Sequence, residues 1–306
     1  MTAPKRIFID GEAGTTGLQI RERLDGRADV ALVSISADDR KNPAAKAGIF
    51  ENVDLVVLCL PDDAAKESVA LADTLGDKAP KILDASTAHR VAPGWTYGFP
   101  ELCAGQADAI KAASRVGNPG CYATGAIAML RPLVDAGLVA VDATCAIHAV
   151  SGYSGGGKAM IAAYEAGQAA PFELYALGLE HKHIPEIMAY GRLAARPLFV
   201  PSVGNFRQGM LVSLPLALES LPGKPTAADL EAALQSHYAG AKYVRVMAPE
   251  PGGKLEPQAL NNTNDLEIRV YANEAHRQAV VVAKLDNLGK GASGAAVQNL
   301  ELMLGL

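Results

Sequence analysis

Short apolar runs alternate with longer amphipathic stretches through the first third of the chain. Arg6–Ile9, Val30–Ser36, Asp54–Leu60, Lys81–Ala85 and Ser114–Gly117 read as strands. The third is the most apolar and suits the middle of a parallel sheet. Helical spacing follows the glycine loop Gly11–Gly17 through about Leu24. A second helix opens at Pro61-Asp62-Asp63, with proline in its first turn. This β-α-β rhythm with short loops predicts an α/β, doubly wound parallel sheet. The run Tyr122–Ala136 also reads as a helix.

After about Asp142 the pattern changes. Thr144–Val150, Leu198–Val203, Met210–Leu218, Leu266–Tyr271 and Ala279–Leu285 fit longer strands, several of them hairpin-compatible. Lys158–Gly167, Pro185–Leu193 and Ala227–Ala239 fit helices. That is an α+β arrangement, with a sheet exposed for packing against another subunit. The last segment, Gly291–Leu304, has apolar residues at helical spacing and returns to the first domain. The division expected is residues 1–119 with 286–306, and 120–285. No internal repeat or low-complexity run interrupts it.

With 49% hydrophobic and 20% charged residues, the 306-residue chain has the composition of a soluble globular enzyme. A net charge of −5 gives no support for nucleic acid or an anionic membrane as partner. The longest apolar runs are strand length, far short of a membrane span. The N-terminus enters a strand within a few residues, so no secretory signal is expected. Cys59, Cys103, Cys121 and Cys145 lack C-x-x-C spacing, which argues against a zinc site or a disulfide framework. A cytoplasmic, reduced protein without a metal is the expectation.

The loop Asp10-Gly11-Glu12-Ala13-Gly14-Thr15-Thr16-Gly17 joins the first strand to the first helix. Gly11 suits the tight turn, Gly14 lets backbone approach a pyrophosphate, and Gly17 allows close helix–strand packing. The helix start that follows supplies N–H donors. The spacing is looser than G-x-G-x-x-G, so position carries the assignment. The second strand ends Ser34-Ile35-Ser36-Ala37, with no acid to hold a ribose hydroxyl, and Arg40 and Lys41 follow. Basic residues there suit a 2′-phosphate, so NADP(H) is expected over NAD. The stretch Gly152–Ala159 nearly matches a nucleotide-triphosphate loop, but Ala159 stands where a hydroxyl must reach Mg²⁺. Its Gly155 and Lys158 remain candidates for an anionic substrate.

Cys121 follows a Pro-Gly break and opens the Tyr122–Ala136 run. A thiol at a helix start faces unpaired N–H groups and the positive end of the dipole, which favour the nucleophilic thiolate. Cys59 and Cys145 lie inside apolar strands and fit inert core. A catalytic thiol needs a proton acceptor and donor, for which histidine is suited. Glu180-His181-Lys182-His183-Ile184-Pro185-Glu186 is the densest cluster; His183, closer to the helix start, is preferred and His181 comes second. Arg90, beyond the fourth strand, and Arg207 are candidates for a phosphate or carboxylate fork. Sulfur chemistry beside a nicotinamide points to the aldehyde and acyl level. A cysteine hydrolase and a non-catalytic dinucleotide sensor are the other classes considered.

With these residues in view, the chain resembles the N-acetyl-gamma-glutamyl-phosphate reductases in their short form, of the semialdehyde dehydrogenase superfamily. The resemblance covers nearly the whole length. It rests on Gly11–Gly17, Ile82–Arg90 (ILDASTAHR), Gly98–Leu102 (GFPEL), Gly117–Cys121 (GNPGC), Ser151–Lys158 (SGYSGGGK), His181–Ile187 (HKHIPEI) and the ending with LDNLGKGASGAAVQN. It implies a Rossmann-type NADP domain and an α+β domain for catalysis and dimer contacts. It implies a catalytic cysteine at Cys121, a histidine base within HKHIPEI, an acyl phosphate substrate in arginine biosynthesis, and a homo-oligomer, dimer or tetramer. Asn118, in GNPGC, joins Arg90, Gly155, Lys158 and Arg207 among the substrate-binding candidates. The chain departs from the longer form around Ala85–Arg90, where that form carries an acid. Aspartate-semialdehyde dehydrogenases share the architecture but differ around the cysteine and at the C-terminus.

Overall fold

A computed structural model describes residues 3–306. The chain divides into two compact units. The first comprises residues through Pro100, Ala104–Pro119 and Ala292–Leu306; the second comprises Glu101–Cys103 and Gly120–Gly291.

The first unit runs β1 (Lys5–Asp10), α1 (Thr15–Leu24), β2 (Val30–Val33), α2 (Pro43–Phe50), β3 (Leu55–Leu58), α3 (Asp62–Asp73), β4 (Lys81–Asp84), β5 (Thr96–Tyr97), α4 (Gln106–Ala112) and β6 (Arg115–Gly117). Its strands form one parallel sheet in the order β2-β1-β3-β4-β6-β5. Alternate strand residues point to opposite faces, and both faces are covered. Ile7, Ile9, Leu55, Val57 and Leu83 pack into one apolar cluster, while Phe8, Val56, Leu58 and Ile82 pack into the other. This explains why β3 is apolar at every position: all four of its residues are buried.

β2 stops at Val33, short of the expected Ser36. The Ser36 hydroxyl accepts a hydrogen bond from the Asp39 amide at 3.0 Å and donates to its carboxylate at 2.8 Å, closing a turn over Asp39–Lys41. Helix α2 was not expected. It is a run of mostly small residues that buries only Phe50, so it lacks an amphipathic stripe. Asn42 caps it by accepting from the Ala44 and Ala45 amides, with Pro43 in the first turn.

The second unit contains α5 (Cys121–Asp135), β7 (Ala146–Gly152), α6 (Gly157–Glu165), β8 (Phe172–Leu174), α7 (Ile184–Gly191), β9 (Leu198–Gly204), β10 (Met210–Ala217), α8 (Ala227–His237), β11 (Val244–Val246), β12 (Leu266–Asn273) and β13 (Gln278–Leu285). They build a mixed sheet in the order β11-β12-β13-β10-β7-β9-β8. Helix α5 is buried along most of its length. Its Gly125 allows close approach to the sheet, because a Cβ there would lie 2.7 Å from Val212 of β10. A capping box between Thr226 and Asp229 starts α8. The three-residue strands β8 and β11 were not expected, being too short to show alternation. The chain then passes through a turn of π-helix at Gly289–Ser293 and ends in α9 (Gly294–Leu304). Ala296, Leu300 and Met303 of α9 complete the first of the two clusters in the first unit. No helix among the described residues is long and apolar enough to cross a membrane.

Candidate active site

In the first unit, the glycine loop and the end of β2 border a cavity of about 620 Å³. Gly11 has φ +92°, and a Cβ on it would meet the Cys59 carbonyl oxygen at 2.3 Å. A Cβ on Gly17 would meet the Gly11 carbonyl oxygen at 2.5 Å. Both positions therefore require glycine, and the turn brings backbone against the cavity. No side chain caps the start of α1 at Gly14, so the amides of its first turn, at Thr15, Thr16 and Gly17, are not taken by a capping residue. Ile35, Leu60, Ala64 and Leu71 give the cavity an apolar wall; Arg40 and Lys41 line it as cations. An apolar slot, a glycine turn and two cations fit the parts of a phosphorylated dinucleotide.

Ser36 does not line this cavity; its hydroxyl shapes the turn that carries Arg40 and Lys41. Its neighbours Ile35 and Ala37 do line the cavity, which leaves Ser36, a cofactor-binding candidate by its place after β2, at the edge of it. Two further wall residues, Lys46 and Ser68, were not singled out in the sequence. Asp10, buried at the end of β1, accepts hydrogen bonds at Oδ2 from Lys46 Nζ at 2.7 Å and Ser68 Oγ at 3.0 Å.

In the second unit, Cys121 is the first residue of α5 and is partly exposed. Gly120 caps the helix in extended backbone without a side-chain bond. The Gly120 amide donates to Glu186 Oε2 at 3.1 Å, and Thr124 closes the first turn by donating from its amide to the Gly120 carbonyl at 2.8 Å. Glu186 is buried in the first turn of α7. Within HKHIPEI it reads only as an acid suited to a helix N-terminus, so its reach to Gly120 was not legible. On the other side Gly291 packs against the cysteine: a Cβ there would lie 2.8 Å from Cys121 Cβ.

The HKHIPEI stretch lies beside the same helix start. The His181 and His183 rings each lie 5.9 Å from the ring of Tyr122, and 4.7 Å from one another. His183 caps α7 and is buried. Its amide donates to His181 Nδ1 at 3.2 Å, which makes that nitrogen of His181 an acceptor. Tyr175, another residue not singled out from sequence, joins the group 5.8 Å from His181. Burial, with the Cys121 charge nearby, pushes its phenol up to about 12. The other thiols behave differently from an exposed nucleophile: burial, with Asp84 and Asp10 nearby, pushes Cys59 up to about 12, and burial also raises Cys145.

The substrate candidates divide. Gly155 and Lys158 are exposed at the loop entering α6, and the loop rests on the Arg207 segment, where the Ser154 amide donates to the Arg207 carbonyl at 3.0 Å. The Arg207 guanidinium is exposed and pairs with Glu165 at 2.6 Å. Arg90, in the first unit, is buried, with Nε donating to the Asn118 carbonyl at 3.0 Å. Asn118 is buried, its Nδ2 donates to the Ala292 carbonyl at 3.1 Å, and its Oδ1 accepts from Asn299 at 3.0 Å. Its amide side chain ties β6 to the segment leading into α9. His89 is structural, with Nδ1 2.6 Å from buried Asp84 and its ring stacked on Trp95 at 4.2 Å. Among the described residues no group of three or more His, Cys, Asp or Glu could hold a metal ion.

Comparison with known proteins agrees with this layout. Residues 121–287 match the family model "Semialdehyde dehydrogenase, dimerisation domain", and residues 41–113 match "Semialdehyde dehydrogenase, NAD binding domain". N-acetyl-gamma-glutamyl-phosphate reductase 2 of Pseudomonas putida is 51% identical, covering 98% of this chain and 96% of its own. The N-acetyl-gamma-glutamyl-phosphate reductase of Burkholderia cenocepacia is 52% identical, covering 98% and 97%. Among solved structures, aspartate semialdehyde dehydrogenase from Francisella tularensis superposes with a TM-score of 0.75 at 13% identity, over 99% of this chain and 100% of the other. At that identity the likeness is one of fold. The half-identical, nearly full-length relatives settle the narrower question: the chain belongs to the N-acetyl-gamma-glutamyl-phosphate reductases of the semialdehyde dehydrogenase superfamily.

Proposed function

We propose that this chain reduces N-acetyl-L-glutamyl 5-phosphate to N-acetyl-L-glutamate 5-semialdehyde, with release of phosphate, through a thioester on Cys121. The observation that carries the reading is the partly exposed thiol at the start of α5, whose next residue, Tyr122, has its ring 5.9 Å from both the His181 and His183 rings. The Cys121 thiolate attacks the acyl carbon, a C–S bond forms, and the C–O bond to phosphate breaks with its electron pair leaving on phosphate. Amides of the first turn of α5 face the oxyanion that develops. When bound, NADPH supplies hydride to the acyl carbon; Gly11, Gly14, Thr15, Thr16, Gly17, Arg40 and Lys41 are the residues to hold it. His183 takes the proton of the Cys121 thiol and passes it to the departing phosphate; after reduction the oxyanion re-forms the carbonyl as the C–S bond breaks, its pair returning to sulfur. Gly155, Lys158 and Arg207 meet the anionic ends of the substrate, and Arg90 holds the Asn118 carbonyl ahead of the catalytic turn. The same reading makes the protein a cytoplasmic enzyme of arginine biosynthesis and a homo-oligomer whose contacts come from the second unit.

Two measurements test this. Run in reverse, N-acetylglutamate semialdehyde should reduce NADP⁺ only when phosphate is present, on the order of a hundredfold faster than aspartate semialdehyde. Phosphate-independent turnover or equal rates would overturn the assignment. His183→Ala should lower kcat by about 10²–10⁴-fold. His181→Ala should cost far less, because one of its ring nitrogens is already committed to the His183 amide; the opposite ranking would make His181 the base.

A further inference from the structure

Dinucleotide folds of this type commonly hold the adenosine ribose with an acid at the end of the second strand. Here that place is Ser34, one residue beyond β2. The fold supplies a carboxylate to it from another element. Glu12, in the glycine loop, lines the same cavity as Arg40 and Lys41. Its Oε2 accepts from the Ser34 hydroxyl at 3.2 Å and from Arg21 Nη1 at 2.8 Å. Arg21 Nη1 also donates to Ser34 Oγ at 3.1 Å, so the three groups form a closed triangle at the strand end.

A carboxylate only accepts hydrogen bonds. It suits the hydroxyls of an unphosphorylated ribose and disfavours a 2′-phosphate, less strongly for being paired with Arg21. Arg40 and Lys41, on the same cavity, do the opposite. Lys46 is drawn to Asp10 at 2.7 Å and adds less to the cationic side. Arg40 is held across its turn, with Nε donating to the Ala37 carbonyl at 3.0 Å. One cavity therefore carries two opposed readers of the ribose.

We infer that Glu12 is a specificity-determining residue, which holds the adenosine ribose by its hydroxyls and limits the preference of the cavity for NADPH, so that NADH is also bound. The inference rests on the nicotinamide reading above and goes beyond it in setting how strict the cofactor choice is.

The test is a fluorescence titration of the full chain with NADPH and with NADH, without substrate. The wild-type protein binds both. In Glu12→Gln, which keeps an acceptor for Ser34 and Arg21, the ratio of NADH to NADPH dissociation constants rises about tenfold. In Arg40→Ala/Lys41→Ala the ratio falls. If both nucleotides bind and Glu12→Gln leaves the ratio unchanged, or NADH does not bind the wild-type protein, this inference fails and the reductase reading stands. If neither nucleotide binds, the reductase reading fails and takes the inference with it.

Discussion

Cys121→Ser is expected to abolish turnover, by on the order of a thousandfold or more, while NADPH still binds. The change is one atom, so the turn, the helix and the neighbouring rings keep their places. What changes is acidity and nucleophilicity. A helix N-terminus and cationic neighbours can bring a thiol from about 8.5 into the range of about 3.5 to 7.5, whereas a hydroxyl stays protonated. The nucleotide cavity is lined by residues of the first unit, and Cys121 belongs to the second. Steady-state assay and fluorescence titration together check this. Turnover within tenfold of wild type would exclude the covalent route. Lost NADPH binding would mean that the substitution acts through folding and not through the sulfur.

Lys290→Met is expected to lower stability by about 3–5 kcal/mol. Lys290 is fully buried, and both oxygens of Glu101 accept from its Nζ, at 2.9 and 2.8 Å. Burial pulls the ammonium below its usual range, and Glu101 opposes that pull. The ammonium also lies 5.4 Å from the centre of the Tyr243 ring. Methionine fills nearly the same space but leaves the Glu101 carboxylate, 7% exposed, without the lysine charge. Thermal unfolding should show a fall in Tm on the order of ten degrees. The double variant Lys290→Met/Glu101→Leu should recover most of it, because removing both charges removes the desolvation cost as well. A single variant within a degree or so of wild type would show that the pair contributes little. Lys290 precedes Gly291, which packs on Cys121, so the pair lies one residue from the contact with that thiol's residue.

These two residues differ in how they read from sequence. Cys121 announces itself through a Pro-Gly break followed by an apolar run, a local signal that sets the helix start. Lys290 sits among glycines in LDNLGKGASG and reads as a solvated turn, because its burial depends on Glu101, nearly two hundred residues away. The same distinction separates the elements. β3 and α5 are long or strongly apolar and were legible. β8, β11 and α2 were not, since the first two exist through pairing with a neighbouring strand and the last through capping and one buried phenylalanine.

Site residues follow that rule too. The glycines at 11 and 17 could be placed from their position between the first strand and the first helix, where only glycine fits because backbone meets backbone at 2.3 and 2.5 Å. The hydrogen bonds of Ser36, which close an exposed turn with Asp39, and of Asn118, which tie β6 to the C-terminal segment, were not legible in their stretches. Glu186, Glu12 and Gly291 act through partners distant in sequence.

By itself, then, the order of residues determined the α/β class, the glycine loop and the family, since each depends on periodicity, local backbone demands or a run of adjacent residues. The tertiary structure alone decided which acids and lysines are buried and what they face. Long-range pairing, which has no local signature, sets the surroundings of Asp10, Glu101, Glu186 and Lys290.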